Sequence, residues 1–434
     1  MVSIGSSQAG QPVYIVDGCR TPFLKSKGKP GPFTASDLAV AAGRSLLVRQ
    51  PFQPEELDEI ILGCAIPGPD EANIARVVSL RIGCGKQIPA WTPQRNCGSG
   101  MQALDAAAMS ITLGRSNLVL AGGTEAMSHA PVLLNNSMMK NLSEWNRARN
   151  VWSRIVLLAR LRPNHFHPVV GLLHGLTDPV TGLSIGQTAE NLAYLFQIDR
   201  ERMDAYAVES HRRLARAQDE GHLSEIMALY SGDGKLYDHD EGIRRDTGIS
   251  ELAQLKPVFD RPFGLITAGN SAQITDGAAW MILASEEAVA RYQLPVAGRI
   301  IACAWVGLEP EKMGLGPVHA MTQILKRQGL RVEDIDYWEI NEAFAAQVLA
   351  CLAAWQSPEY SRKELGLEEP YAAIDTDRLN IDGGALAIGH PVGASGARIV
   401  LHLLSILSRN QSKRGMASLC IGGGQGGAML VERY

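Results

Sequence analysis

An α/β fold built from two similar halves, with an insertion between them, is what this sequence predicts. Three observations carry that expectation. The order strand, helix, strand near the N-terminus recurs nearly three hundred residues later. Each half then carries a reactive side chain, Cys97 or His390, followed by a glycine-rich turn, a helix and a strand. Finally, 434 residues with 46% hydrophobic content suffice for two or three cored domains.

In chain order, VYIVDG (13–18) reads as the first strand and SDLAVAAGRSLLV (36–48) as an amphipathic helix, with EELDEIILGCA (55–65) following as the next strand region. MQALDAAAMSITLG (101–114) reads as a helix opened by Cys97, and LVLAGG (118–123) as a strand. Residues 126–265 are richer in charge and lack strand alternation until LKPVFDRPFGLITAGNS, so they read as an inserted domain of helices and loops. Its strongest helix, 199–221, is charged on one face and therefore solvated. The opening order then repeats as GRIIACAWVG (298–307), a helix at 316–329 and VEDIDYWEINEA (332–343), with His390 and its helix leading into ASLCIGGG (417–424). The expected division is 1–125 with 266–296 as the first half, 126–265 as the insertion and 297–434 as the second half. If the halves pack face to face, the helix-opening turns bearing Cys97 and His390 meet at their interface.

Charge and cysteine content limit the function. A net charge of −4 argues against a nucleic-acid binder, so an anionic ligand would need local basic groups. Seven cysteines spread along the chain form no disulfide framework and suit a reducing compartment. The opening MVSIGSSQAGQP has neither a basic nor an apolar leader region, and no apolar run reaches membrane-spanning length, so a cytoplasmic location is expected. No CxxC or HExxH occurs, so no metal site is expected. GGGQGG (422–427) lies too close to the C-terminus to be a dinucleotide fingerprint, which needs a following helix and strand.

The chemistry concentrates in NCGSGMQAL (96–104), GHPVGASGAR (389–398) and LCIGGGQGG (419–427), where Cys97, His390 and Cys420 stand beside glycines that bring backbone N–H groups close to a ligand. Two thiols and an imidazole suggest acyl transfer through a thioester, and a cysteine at a helix N-terminus is favoured as thiolate. Cys19, Cys64, Cys84, Cys303 and Cys351 lack such neighbours and read as small buried hydrophobes.

Together with NEAFAAQ (341–347) and TAGNSAQITDGAA (267–279), these motifs resemble the thiolase family, the acyl-CoA:acetyl-CoA C-acyltransferases, over essentially the whole chain. The resemblance implies a five-layered αβαβα fold with two stacked parallel-rich halves and a loop domain covering coenzyme A, which is a co-substrate rather than a bound cofactor. It implies Cys97 as nucleophile, His390 as its base, Cys420 as the acid that protonates the acetyl-CoA carbanion, and Asn341 as holder of a water at the enolate oxygen. The N–H groups of Cys97 and Gly422 would form the oxyanion hole. Asn341 also reads as a helix N-cap, compatible with that role. Gly269, Ser271, Ala272, Met313, Phe344 and Ile185 match positions that line the substrate or pantetheine channel, although apolar residues there are equally ordinary core. A homodimer or homotetramer is implied.

Two stretches depart from the short-chain branch of that family. LSIGQTAEN (183–191) has Ser184 and Ile185 where short-chain biosynthetic thiolases usually carry a His-Met pair. The segment 148–182 is basic, apolar and similar to the insert of the β-subunit of the fatty-acid oxidation trifunctional complex, yet NEAF and AGNS stand where that subunit usually has HEAF and AANS. The activity expected is reversible cleavage of 3-oxoacyl-CoA in fatty-acid β-oxidation. The alternatives are an acetoacetyl-CoA-forming biosynthetic thiolase, a condensing enzyme of the same superfamily, a cysteine thioesterase and a non-enzymatic carrier subunit. Residues 147–176 mix five arginines with apolar side chains, as an amphipathic basic helix would. Two readings of it stand equal: docking to a partner such as a β-oxidation α-subunit or to a membrane, and binding of coenzyme A phosphates.

Overall fold

Strands Val13–Arg20 and Gly298–Gly307 lie side by side, antiparallel, at the middle of a ten-stranded sheet in the computed structural model, which describes residues 10–434. From this central pair the order outward is the same on both sides. On one side come Thr275–Ala284, Leu118–Ala126, Glu59–Gly63 and the short edge strand Ala90–Trp91; on the other come Gln425–Arg433, Arg414–Ile421 and Tyr337–Ile340. The sheet thus repeats the duplication in space, and the family's α/β class is what the chain forms.

Helices Ser99–Thr112 and Val392–Arg409 pack on each other and against both sheet halves, forming the middle layer. Ala35–Leu47 and Ile74–Ile82 cover the outer face of the first half; Gly316–Gln328, backed by Ala345–Gln356, covers the second. Met101, Leu104, Ile399, Leu403 and Ile421 fill the central core between the sheet halves. Each half is less parallel than expected. Among the strands of the described residues, only Leu118–Ala126 with Glu59–Gly63, Glu59–Gly63 with Ala90–Trp91, and Tyr337–Ile340 with Arg414–Ile421 run parallel. Gln425–Arg433 follows Arg414–Ile421 through a turn of three glycines, and so short a link returns the chain antiparallel.

The insertion contains short strand pairs besides its helices: Val132–Leu134 with Pro168–Val170, and Leu229–Tyr230 with Leu236–Tyr237. Its long helix Arg200–Asp219 buries Met203, Ala207 and Val208 against the second half and turns its charged face outward. The basic segment 147–176 is not one helix: it holds the helix Val151–Ala159, the turn Pro163–Phe166, the strand Pro168–Val170 and the short helix Gly171–Gly175. Asn136–Arg147 and Val151–Ala159 form a helical hairpin, separated because Ala148 ends the first helix with extended backbone and Asn150 caps the second by accepting from Ser153 N–H. A buried ion network ties the three parts of the chain together. Arg20 reaches Glu225 (3.3 Å) and Asp240 (2.8 Å), and His402 lies between Glu225 (2.9 Å) and Asp382 (3.2 Å).

Candidate active site

The site forms where the two middle-layer helices begin. They cross backbone to backbone: a Cβ at Gly100 would lie 2.7 Å from the Gly393 carbonyl oxygen, and one at Gly396 would lie 2.7 Å from the Met101 nitrogen. Glycine is required there because any side chain would wedge the helices apart. Their N-termini, carrying Cys97 and His390, are thereby held at one locus.

Cys97 precedes the helix, which starts at Ser99 with Gly98 as N-cap. Asn96, at φ +44°, turns the chain into the helix and donates from Nδ2 to the Gly422 carbonyl at 2.8 Å, locking the Cys97 loop to the glycine turn after Cys420. The backbone N–H groups of Gly422 and Cys97 both point at the Cys97 sulfur and favour thiolate, but burial outweighs them and pushes the thiol up to about 11. Cys420 is fully buried, and burial together with the neighbouring Cys97 and Cys351 holds its thiol well above the usual range. At rest both thiols are protonated.

Gly389, at φ +106° against Thr275, delivers His390 into the site, where its N–H donates to the Gln273 carbonyl at 3.0 Å. Imidazole Nδ1 lies 2.6 Å from Ser395 Oγ, which donates its own hydrogen to the Pro391 carbonyl at 3.1 Å. The hydroxyl must therefore accept from Nδ1–H, leaving Nε2 as the basic nitrogen. Asn341 Nδ2 approaches that Nε2 at 3.4 Å, and Asn341 Oδ1 is buried with no protein partner. Burial, reinforced by Arg398, lowers His390 to about 4, so the imidazole is neutral. Among the described residues no hydrogen bond joins His390 to Cys97.

Asn341 is not a helix cap. The helix starts at Ala345 with extended Phe344 at the N-cap position, and Asn341 lies before a bend at Ala343, whose N–H donates to the Asn341 carbonyl at 3.2 Å. Asn341 N–H donates to Ser418, Ala272 N–H to Ala343, and Ala345 N–H to Asn270. This places Ser271 opposite Phe344 and Ala272 beside it, along one edge of the site. Gly269 packs under Leu252 and Leu255. Met313 and Phe344 are each only 3% exposed and belong to the core cluster that also contains Cys420, with half-buried Ile185 packed against it. Of the five cysteines read as buried, Cys303 is only half-buried.

Three participants were not legible from spacing. Ser395 fixes the histidine tautomer but lies within GASGA, where it looks like one more small helix residue. Glu125 accepts from Gly393 N–H at 3.0 Å, anchoring the start of the His390 helix; burial raises it to about 7. Glu342 accepts from Tyr206 (3.1 Å), Ser210 (2.7 Å), Asn380 (3.0 Å) and Leu386 N–H (3.2 Å). It joins the Asn341 loop, the loop before His390 and the inserted helix.

A half-buried and a buried thiol, a neutral imidazole and converging backbone N–H groups make an arrangement suited to acyl transfer through a thioester. Sequence models of the thiolase N-terminal domain match residues 13–287 and of the thiolase C-terminal domain residues 294–433, and the chain belongs to the thiolase family. It is similar to the 3-oxoadipyl-CoA/3-oxo-5,6-dehydrosuberyl-CoA thiolase of Escherichia coli K12, 39% identical over 97% of this chain and 99% of that one. It is also similar to the mitochondrial trifunctional enzyme subunit beta of Rattus norvegicus, 34% identical over 97% of this chain and 88% of that one. Among solved structures, human mitochondrial 3-ketoacyl-CoA thiolase superposes with a TM-score of 0.82 at 35% identity, covering 98% of this chain and 99% of that one. Bacillus anthracis acetyl-CoA acetyltransferase gives 0.83 at 35% identity, covering 99% and 100%. No helix among the described residues is long and apolar enough to cross a membrane.

Proposed function

We propose that this thiolase cleaves 3-oxoacyl-CoA reversibly with coenzyme A, giving acetyl-CoA and a shortened acyl-CoA through an acyl-Cys97 intermediate, in fatty-acid oxidation. The observation that carries the reading is the convergence of Cys97, Cys420 and the Gly422 N–H at one helix start, beside a histidine whose free nitrogen is Nε2.

Substrate binding sets off proton transfer from Cys97 to His390, and the thiolate attacks the 3-oxo carbon. The Cys97 and Gly422 N–H groups stabilise the resulting oxyanion. Collapse breaks the C2–C3 bond, the leaving enolate takes a proton at C2 from the Cys420 thiol, and the acyl group stays on Cys97. Asn341, through a water, and His390 stabilise the enolate oxygen. Coenzyme A then gives its thiol proton to the Cys420 thiolate and attacks the acyl carbon, and the departing Cys97 thiolate takes its proton back from His390. The high Cys420 pKa supports its role as acid, since the group must be protonated when the carbanion forms.

Gly269, Ser271, Ala272, Ile185, Met313 and Phe344 are assigned to the substrate channel, the last two as wall behind Cys420, with residues 126–265 covering coenzyme A. A biosynthetic short-chain role is disfavoured by Ser184, which caps the helix Ile185–Leu195 by accepting from Gln187 N–H and leaves no His-Met pair there. The exposed edge strand Ala90–Trp91 supports a homo-oligomer, since an open edge is a template for pairing with a second copy. A ladder of 3-oxoacyl-CoA substrates incubated with coenzyme A, with products weighed by mass spectrometry, tests the assignment. Acetyl-CoA plus a shortened acyl-CoA is expected; free acid would indicate a thioesterase, and no cleavage would refute the activity.

A further inference from the structure

The helical hairpin of the insertion is built to be covered. Of its helices Asn136–Arg147 and Val151–Ala159, only Met138 and Leu157 are buried. The first helix packs on the second and on the turn 163–166. Asn135 clamps the base, its Nδ2 donating to the Asn164 and His167 carbonyls at 2.8 Å. The unit is thus held in shape while its apolar side chains face outward. Trp152, Ile155 and Val156 form a stripe at helical spacing, Trp152 being 77% and neighbouring Val151 70% exposed. So large an apolar surface at one place on a protein marks a contact site.

Charge identifies the occupant. Between residues 131 and 177 stand Lys140, Arg147, Arg149, Arg154, Arg160 and Arg162 against one acid, Glu144, in a chain of net charge −4. All six cations are exposed, and among the described residues none pairs with a carboxylate. A groove of about 570 Å³ between the helices is lined by Trp152 and Val156 with Arg147 and Arg160 at hand, Glu144 being its one acidic wall. Apolar side chains ringed by unpaired arginines, on helices too short to span a bilayer, are the pattern of an interfacial element.

We propose that this hairpin seats the enzyme on an anionic lipid surface, with Trp152, Ile155 and Val156 in the headgroup boundary and Arg147 and Arg160 around a lipid phosphate. The test uses the full chain in co-sedimentation with vesicles of phosphatidylcholine alone or mixed with phosphatidylglycerol. Binding is expected only to the mixed vesicles, weakening as salt is raised. Arg154→Glu/Arg160→Glu/Arg162→Glu should lower the partition at least about tenfold, as should Trp152→Ser, with the melting temperature and the coenzyme A KM unchanged. Absence of wild-type binding, or equal binding by the triple variant, overturns the proposal. So does a Trp152→Ser change in oligomeric state without loss of vesicle binding, which would assign the face to a second copy. A raised coenzyme A KM with unaltered vesicle binding would assign the arginines to the co-substrate instead.

Discussion

Replacing Glu342 by alanine should damage catalysis more than its distance from the sulfur atoms suggests. Its carboxylate takes four hydrogen bonds inside the protein, and one of the donors, Leu386 N–H, has no other partner, whereas Asn380 Nδ2 keeps the Ile340 carbonyl (2.9 Å) and the Tyr206 and Ser210 hydroxyls can rotate. A stranded donor costs about 1–3 kcal/mol, so a loss of roughly 2 kcal/mol is expected. At about 2.1 cal/mol/K per residue this corresponds to a fall in Tm of roughly 2 °C for a chain of this length. Kinetics are the more telling measurement. Leu386 lies four residues before His390, and Asn341 adjoins Glu342, so release of this anchor lets both sides of the enolate pocket drift. A misplacement near 1 Å lowers kcat about a hundredfold, with KM little changed. Glu342→Gln should fall between, because in either amide orientation its NH2 faces Asn380 Nδ2 or Leu386 N–H, donor against donor. Thiolysis kinetics with thermal melts of all three proteins decide the matter. If Glu342→Ala lowers Tm but leaves kcat intact, the residue braces the fold and positions nothing.

Further tests address the site and the ion network. Ser395→Ala should lower kcat/KM about tenfold, roughly 1.4 kcal/mol, by freeing the imidazole to adopt the other tautomer; unchanged kinetics over the pH range would dismiss this role. Cys420→Ala should still take up acyl mass on Cys97 from acyl-CoA while losing hydrogen exchange at C2 of acetyl-CoA, and equal loss of both reactions would make Cys420 structural. Chemical alkylation of Cys97 should accelerate steadily between pH 6 and pH 9, because its thiol, at about 11, is still being deprotonated throughout; a plateau near neutrality would show a resting thiolate. The carboxylates Glu225 and Asp382 raise His402 to about 10 against the cost of burial. A histidine with a raised folded pKa stabilises fully below its unfolded value of 6.5, and that contribution disappears as pH rises through about 10. The stability gap between wild type and His402→Gln should therefore be widest near pH 6 and narrow toward pH 10 in urea melts; a gap independent of pH would mean that His402 is neutral.

Much of the architecture was readable from periodicity because the elements that specify it are long and one-sided. Gly298–Gly307 and the helix at 316–328 fall within a residue of their expected bounds. Strand direction was not readable, since alternation of side chains is the same whichever way a neighbour runs. The basic segment 147–176 does not form one helix, and its composition hides the breaks: the helix Val151–Ala159 ends ahead of Pro163, and Pro168–Val170 pairs as a strand with Val132–Leu134. At the site, Cys97, His390 and Cys420 stood out because glycine has no use in an ordinary element interior. Glu342 acts through Ser210 and Tyr206, far away in the chain, which no local pattern announces, and Ser395, though only five residues from His390, looks like one more small residue of its helix.

The elevated Cys97 pKa also bears on how the enzyme endures between turnovers. Peroxides and electrophiles attack thiolate, and oxidation to sulfenic and then sulfinic acid proceeds through that form. With the thiol near 11 and the imidazole near 4, almost no thiolate exists until a substrate arrives to draw the proton across. Burial thereby makes Cys97 slow to meet oxidants and electrophiles in the resting state, at any given oxidant concentration.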